Sequence, residues 1–183
     1  MKTEFSEEFV SKMESRRGNG QEKSFNNAEA DFVVKMKSRM VISFYKYGPV
    51  IDNYGSCCVN AMGSMYKRIR KYSQTHNTEW LVDVANFAMI EFMCPQQKET
   101  SYDNSVNVPY DDLLIKEKDV SSVLHNLREK YKKTGNLAFV VDMANIAMIE
   151  FEKPQFEDAY FSGTDSKESP GLDGIPINEM KTL

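Results

Sequence analysis

The stretch LVDVANFAMIEF, residues 81–92, returns fifty-nine residues later as VVDMANIAMIEF, residues 140–151. Extended outward, Lys71–Gln96 aligns with Lys130–Gln155 without a gap, with 15 identities in 26 positions. A match of this length constrains the fold more than any other feature of the chain. Each copy reads as a basic helix, a Thr-x-Asn turn, an apolar helix and a proline stop (Pro95, Pro154). Asn77 and Asn136 are the expected N-caps, because a short amide side chain can accept from the free N–H groups that open a helix. Each unit is therefore a helix hairpin. Two units are too few for an open solenoid, which needs about three or more. The expected fold is all-α: one compact helical domain in which two homologous hairpins pack about an internal pseudo-twofold axis.

The apolar helix carries three repeated polar residues. On a wheel of about 100° per residue, Asn86 falls about 60° to one side of Asp83 and Glu91 about 80° to the other. The other positions are nearly all apolar, so the helix should be buried on every side. Asp83, Asn86 and Glu91, with Asp142, Asn145 and Glu150, then need internal partners. One reading is structural: Asp accepts from a neighbouring helix, Asn bridges to it, and Glu meets an Arg or Lys of its own hairpin's basic helix. The other is catalytic. All-helical nucleotide pyrophosphohydrolases of the MazG type gather carboxylates around Mg²⁺, a cation that prefers oxygen ligands. Here the acids would be Asp83, Glu91, Asp142 and Glu150. That family uses Glu-x-x-Glu and Glu-x-x-Asp pairs. In this chain the acids of one helix stand eight residues apart, about 12 Å along the axis, too far to share one ion.

Periodicity places further helices at about Ser6–Glu14, Asn27–Tyr47 (capped by Asn27, stopped by Gly48-Pro49) and Ser56–Ser73. GPVIDNYG is expected as a loop. The chain divides into residues 1–97, with the N-terminal helices and first hairpin; a connecting loop at 98–118; the second hairpin at 119–156; and an irregular tail at 157–183. The Gly-, Pro- and Ser-rich tail is either disordered or pinned by Tyr160, Phe161 and Ile175.

Composition narrows the function classes. A formal charge of −4 over 183 residues argues against generic nucleic-acid binding but leaves room for a local basic patch. No window approaches 18 continuous apolar residues, so no membrane span is expected. Cys57, Cys58 and Cys94 form neither a disulfide framework nor a Cys-x-x-Cys motif, so a reducing cytoplasm, buried thiols and no structural metal are expected. His76 and His125 have no second ligand at metal spacing and are read as surface residues. Basic residues gather in SRRGNGQEK, YKRIRKY and REKYKK. The last two should lie on equivalent sides, with Tyr66, Tyr72 and Tyr131 available to stack. Arg16, Arg17 and Lys23, with Lys67, Arg68 and Arg70, are the expected partner-binding residues.

The segments NTEWLVDVANFAMIEFMCP, ESRRGNGQEKS and TDSKESPG resemble a family of small proteins encoded by phages and mobile elements. The likeness covers much of residues 5–97 and recurs over 119–172. This chain departs from the single-copy pattern by carrying a second hairpin. In size and composition it is also similar to the type II-A anti-CRISPR proteins of clostridial phages, which inhibit Cas9. That likeness implies a non-enzymatic inhibitor of a host nuclease, with no cofactor, acting in the bacterial cytoplasm and blocking DNA binding or cleavage. It assigns no residue. Mg²⁺ enters only under the hydrolase reading, and a structural phage protein is the third possibility.

Overall fold

The computed structural model describes residues 5–18, 24–55, 59–106 and 119–163. These residues form an all-helical bundle with no strand among them. The helices are α1 (Glu7–Arg17), α2 (Asn27–Tyr47), α3 (Ala61–Thr75), α4 (Glu79–Met93), α5 (Val120–Thr134) and α6 (Ala138–Glu152). A π-helical turn at Ile51–Gly55 occupies the expected loop after α2. Among the described residues no helix is long and apolar enough to cross a membrane.

Local chemistry sets the helix ends. The Ser6 hydroxyl accepts from Phe9 N at 3.1 Å and opens α1. Asn26, not Asn27, caps α2. Its Oδ1 accepts from Glu29 N at 2.9 Å, and Glu29 Oε2 accepts from Asn26 N at 2.8 Å. This reciprocal box satisfies two N–H groups that would otherwise lack partners. The third helix begins at Ala61, five residues later than expected, because Asn60 caps it through Gly63 N at 2.7 Å. Asn77 and Asn136 lie one residue before the helix caps, yet they accept from Glu79 N at 3.2 Å and Ala138 N at 3.0 Å. The turns between hairpin helices need a left-handed residue, supplied by His76 (φ 57°) and Gly135 (φ 69°).

The apolar helices α4 and α6 make the largest interface and form the centre of the bundle. Helix α3 packs on α4, and α5 on α6. Every residue of α4 from Glu79 to Glu91 is buried. Fully burying side chains such as Leu81, Val84 and Met89 contributes about 1.5–3 kcal/mol each.

The two remaining helices complete the cover and reveal a second sequence likeness. Phe9–Arg16 reads FVSKMESR and Phe32–Arg39 reads FVVKMKSR, six identities in eight positions. Helix α1 packs on α6 of the second hairpin, and α2 packs on α4 of the first. Each buried helix is thus covered by the basic helix of its own hairpin and by a helix of this second type, and α2 also reaches α6 through Phe32 and Phe151.

Candidate functional site

The repeated polar residues find matching partners in the two halves. Asn86 Nδ2 donates to Met36 O, and Asn145 Nδ2 donates to Met13 O, each at 3.1 Å. Asp83 accepts from Arg39 Nε at 3.1 Å and Nη2 at 3.3 Å. Asp142, fully buried, accepts from Arg16 Nε at 2.5 Å and Nη2 at 2.7 Å. The methionines and arginines are equivalent positions of the FVxKMxSR helices. Glu79 also meets Arg39 Nη1 at 3.1 Å. Burial opposes the charge on Arg39, but Asp83 and Glu79 outweigh it and raise its pKa above the usual guanidinium value.

The glutamates cross between hairpins. Glu91 accepts from Tyr131 OH of α5 at 2.6 Å, and Glu150 accepts from Tyr72 OH of α3. A tyrosine of the opposite hairpin, rather than the expected Arg or Lys of its own, donates to each acid. A tyrosine supplies the hydrogen bond without adding a second buried charge. Each glutamate also accepts a backbone N–H five residues on, from Gln96 at 3.1 Å and Gln155 at 2.9 Å. Burial raises the pKa of both acids, while the phenol and backbone bonds oppose it. Burial also raises both tyrosines, and the glutamates add to it.

The segments after the buried helices cross in the same way. Ser101 pairs with the Gly135–Leu137 turn, donating to Gly135 O at 3.0 Å and accepting from Leu137 N at 2.8 Å. Tyr160 does the same at the His76–Thr78 turn, at 3.2 and 2.8 Å. Tyr160 anchors the start of the tail in this way, and the Phe161 ring meets that of Phe151 edge-on at 5.9 Å, although both residues are half exposed; Ile175 lies outside the described residues.

The four acids proposed for metal chemistry therefore occupy four separate hydrogen-bonded settings. No group of three or more His, Cys, Asp or Glu suited to a metal ion occurs among the described residues. His76 is not a free surface residue: it stacks on Phe156 at 3.7 Å and meets Asp158 at 2.7 Å. Cys94 is half-buried, and Cys57 and Cys58 lie outside the described residues.

Of the six residues expected to bind a partner, the five that are described have different surroundings. Arg16 is buried against Asp142, with Nη1 also donating to Asn104 Oδ1 at 2.9 Å and Nη2 to Val106 O at 2.7 Å. Arg68 is buried, 3.7 Å from Asp83 and over the Phe87 ring. Arg17 pairs with Glu29 at 3.1 Å. Lys23 lies outside the described residues. Lys67 is half-buried and Arg70 is exposed on α3.

Helices α3 and α5 meet directly, with the Ser73 and Ser121 hydroxyls 2.5 Å apart. Along this seam Tyr66 remains 38% exposed. Its ring lies 5.9 Å from the Arg70 guanidinium and 5.4 Å from that of Arg128. The His125 ring is 5.0 Å away, and burial, then Arg128, lowers its pKa. Tyr72 and Tyr131, expected to stack on a ligand, are instead buried.

Sequence reasoning missed Arg39 and the tyrosine–glutamate pairing. The FVxKMxSR likeness would have found the first. Tyr72 and Tyr131 are matched in the repeat, but nothing in a one-dimensional alignment shows that their partners lie in the opposite copy. Comparison with known protein families, curated proteins and solved structures found no match.

Proposed function

We propose that this protein acts by binding a macromolecular partner through the basic seam of α3 and α5. The observation that carries this reading is Tyr66, an exposed aromatic ring held between Arg70 and Arg128. Guanidinium groups beside an aromatic ring favour an acidic or phosphate-bearing surface, where charge sets orientation and specificity. The crossed Tyr–Glu and turn contacts also support reading the two halves as related by a pseudo-twofold axis, with α3 and α5 as equivalent elements on one side.

The likeness to anti-CRISPR proteins makes a Cas9-type ribonucleoprotein the first partner to test, as a phage-derived inhibitor of DNA binding or cleavage. Such a particle presents both nucleic acid and charged protein surfaces. The test is capture of the purified ribonucleoprotein, and inhibition of its cleavage, by wild type and by Arg70→Glu/Arg128→Glu. Arg70 is exposed and Arg128, paired with Glu129, is 17% exposed, so retained helical circular dichroism is checked first and Arg70→Glu alone serves as the milder variant. Loss of capture and inhibition by at least tenfold is expected. Undiminished capture by the variant refutes the seam, and failure of wild type to bind refutes this partner.

A further inference from the structure

An open groove of about 400 Å³ lies between α2 and the point where the described chain ends. Its lining includes Lys35, Ser38 and Ile42 of α2, Val82 of α4, and Phe161 and Gly163. Beside it α2 carries an apolar stripe. Val34, Val41, Ile42 and Tyr45 are all exposed, and they fall within about 100° of one another on a helical wheel. Contiguous exposed apolar surface of this kind marks a docking site. The likeness between α1 and α2 shows that the scaffold does not require the stripe. Val34 corresponds to Ser11, and α1 ends at Arg17, before the positions of Val41, Ile42 and Tyr45.

The segment after α4 shows how the equivalent place on α1 is covered. Across the fifty-nine-residue offset, Ser101–Asn104 corresponds to Tyr160–Gly163, and the two segments make matching contacts. Asp103 N donates to Asn136 Oδ1 and Ser162 N to Asn77 Oδ1, each at 3.0 Å. Lys12 lies over the Tyr102 ring, which meets Phe92 edge-on; Lys35 lies over the Phe161 ring, which meets Phe151 edge-on. Beyond this point the first segment continues over Arg16, which donates to Asn104 Oδ1 and Val106 O, and Val106 packs on the core. The second is described as far as Gly163. Gly163 brings no side chain to Arg39, whose side chain is 21% exposed against 4% for that of Arg16.

We propose that residues 164–183 fold back over this groove and dock on the α2 stripe, with Leu172, Ile175 and Ile177 against Val34, Val41, Ile42 and Tyr45. The reach is ample. From Val34 to Tyr45 the helix rises about 16 Å, whereas the stretch from Gly163 to Leu172 can span up to about 30 Å. Pro176 favours extended geometry at Ile175, and in an extended run residues two apart share a face, so Ile175 and Ile177 can meet one surface together. Charge agrees. Residues 164–183 hold Asp165, Glu168, Asp173 and Glu179 against Lys167 and Lys181, whereas α2 carries Lys35, Lys37 and Lys46 beside the stripe against Asp31. Tethered within reach, the tail competes with a second copy of the chain at an effective concentration on the order of millimolar. The α2 stripe is separate from the α3–α5 seam, and the inference stands whether or not that seam binds a partner.

The test is methyl NMR on the full chain. Cross-peaks are expected from at least one of Leu172, Ile175 and Ile177 to Val34, Val41 or Ile42. They should survive tenfold dilution and be absent between chains in a mixture of labelled and unlabelled protein. Leu172→Ser/Ile175→Ser/Ile177→Ser should keep its helical circular dichroism and shift the Val41 and Ile42 methyl resonances, because their cover is lost. No cross-peak between tail and α2 overturns the inference, as do Val41 and Ile42 resonances that stay in place in the triple variant. Cross-peaks found only between chains assign the stripe to a second copy and overturn it too.

Discussion

Arg16→Ala is expected to damage the fold far more than the equivalent change Arg39→Ala. Arg16 makes four hydrogen bonds, two to a fully buried Asp142 and two that fix Asn104 and Val106. Removing it takes the cation from a fully buried carboxylate. Breaking a buried pair from one side costs about 3–5 kcal/mol. For a chain of this size each kcal/mol lowers Tm by roughly 2–4 °C, so a fall of about 6–20 °C is expected. Arg39 differs in two respects. Its side chain is 21% exposed, and Asp83 keeps Arg68 3.7 Å away when Arg39 is removed. Solvent and the second cation should limit that loss to about 1–2 kcal/mol. The assay is urea unfolding followed by circular dichroism, with thermal melts in parallel. Because well-packed apolar residues often replace a buried ion pair without loss, Arg16→Met combined with Asp142→Leu should recover at least half the stability lost in Arg16→Ala. Equal losses for Arg16→Ala and Arg39→Ala, or no recovery in the double variant, would refute the reasoning.

Three further outcomes follow from the same geometry. Tyr131→Phe, which removes the donor to Glu91, should cost about 1.5–3 kcal/mol in urea unfolding because a hydrogen bond to a buried charged group is lost. Glu91 and Glu150 have folded-state pKa values above the ordinary 4.5, so their contribution is fully present below about pH 4.5 and is lost as pH rises through the raised values. Glu91→Gln should flatten that part of the pH–stability profile, and an unchanged slope would contradict the burial argument. Gly135→Ala combines a φ of +69° with a new Cβ 2.0 Å from Glu99 O. It should destabilise by at least about 1 kcal/mol and raise amide exchange at Ser101, whose N–H bonds to Gly135 O.

The all-helical class and the burial of the repeated helices were legible because an apolar surface on all sides leaves a helix only one place to lie. The need of Asp83 and Asn86 for partners on a neighbouring helix was legible for the same reason. The partners themselves were not. Arg16 and Arg17 sit in a run that reads as a solvated basic cluster, and only three-dimensional packing shows that Arg16 turns inward while its neighbour pairs with Glu29. Arg68 lies among lysines and arginines on a helix whose other basic residues reach the surface. Its burial follows from a rotation of α3 that periodicity fixes only roughly. Glu91 is expected beside its own hairpin because sequence proximity favours local contacts. The fold instead brings the phenol from the other copy, and tyrosine rather than a cation meets the acid.

The crossed Tyr72–Glu150 and Tyr131–Glu91 bonds bear on what a shorter relative of this chain must do. A polypeptide with one hairpin would hold a tyrosine and a glutamate that cannot reach each other within the same molecule. Two such molecules could form both bonds only between them, so a single hairpin made alone is expected to associate with a second copy. Holding both halves in one chain makes the two bonds intramolecular and independent of concentration, and the halves need not match elsewhere: Arg68 in one stands where Leu127 is in the other.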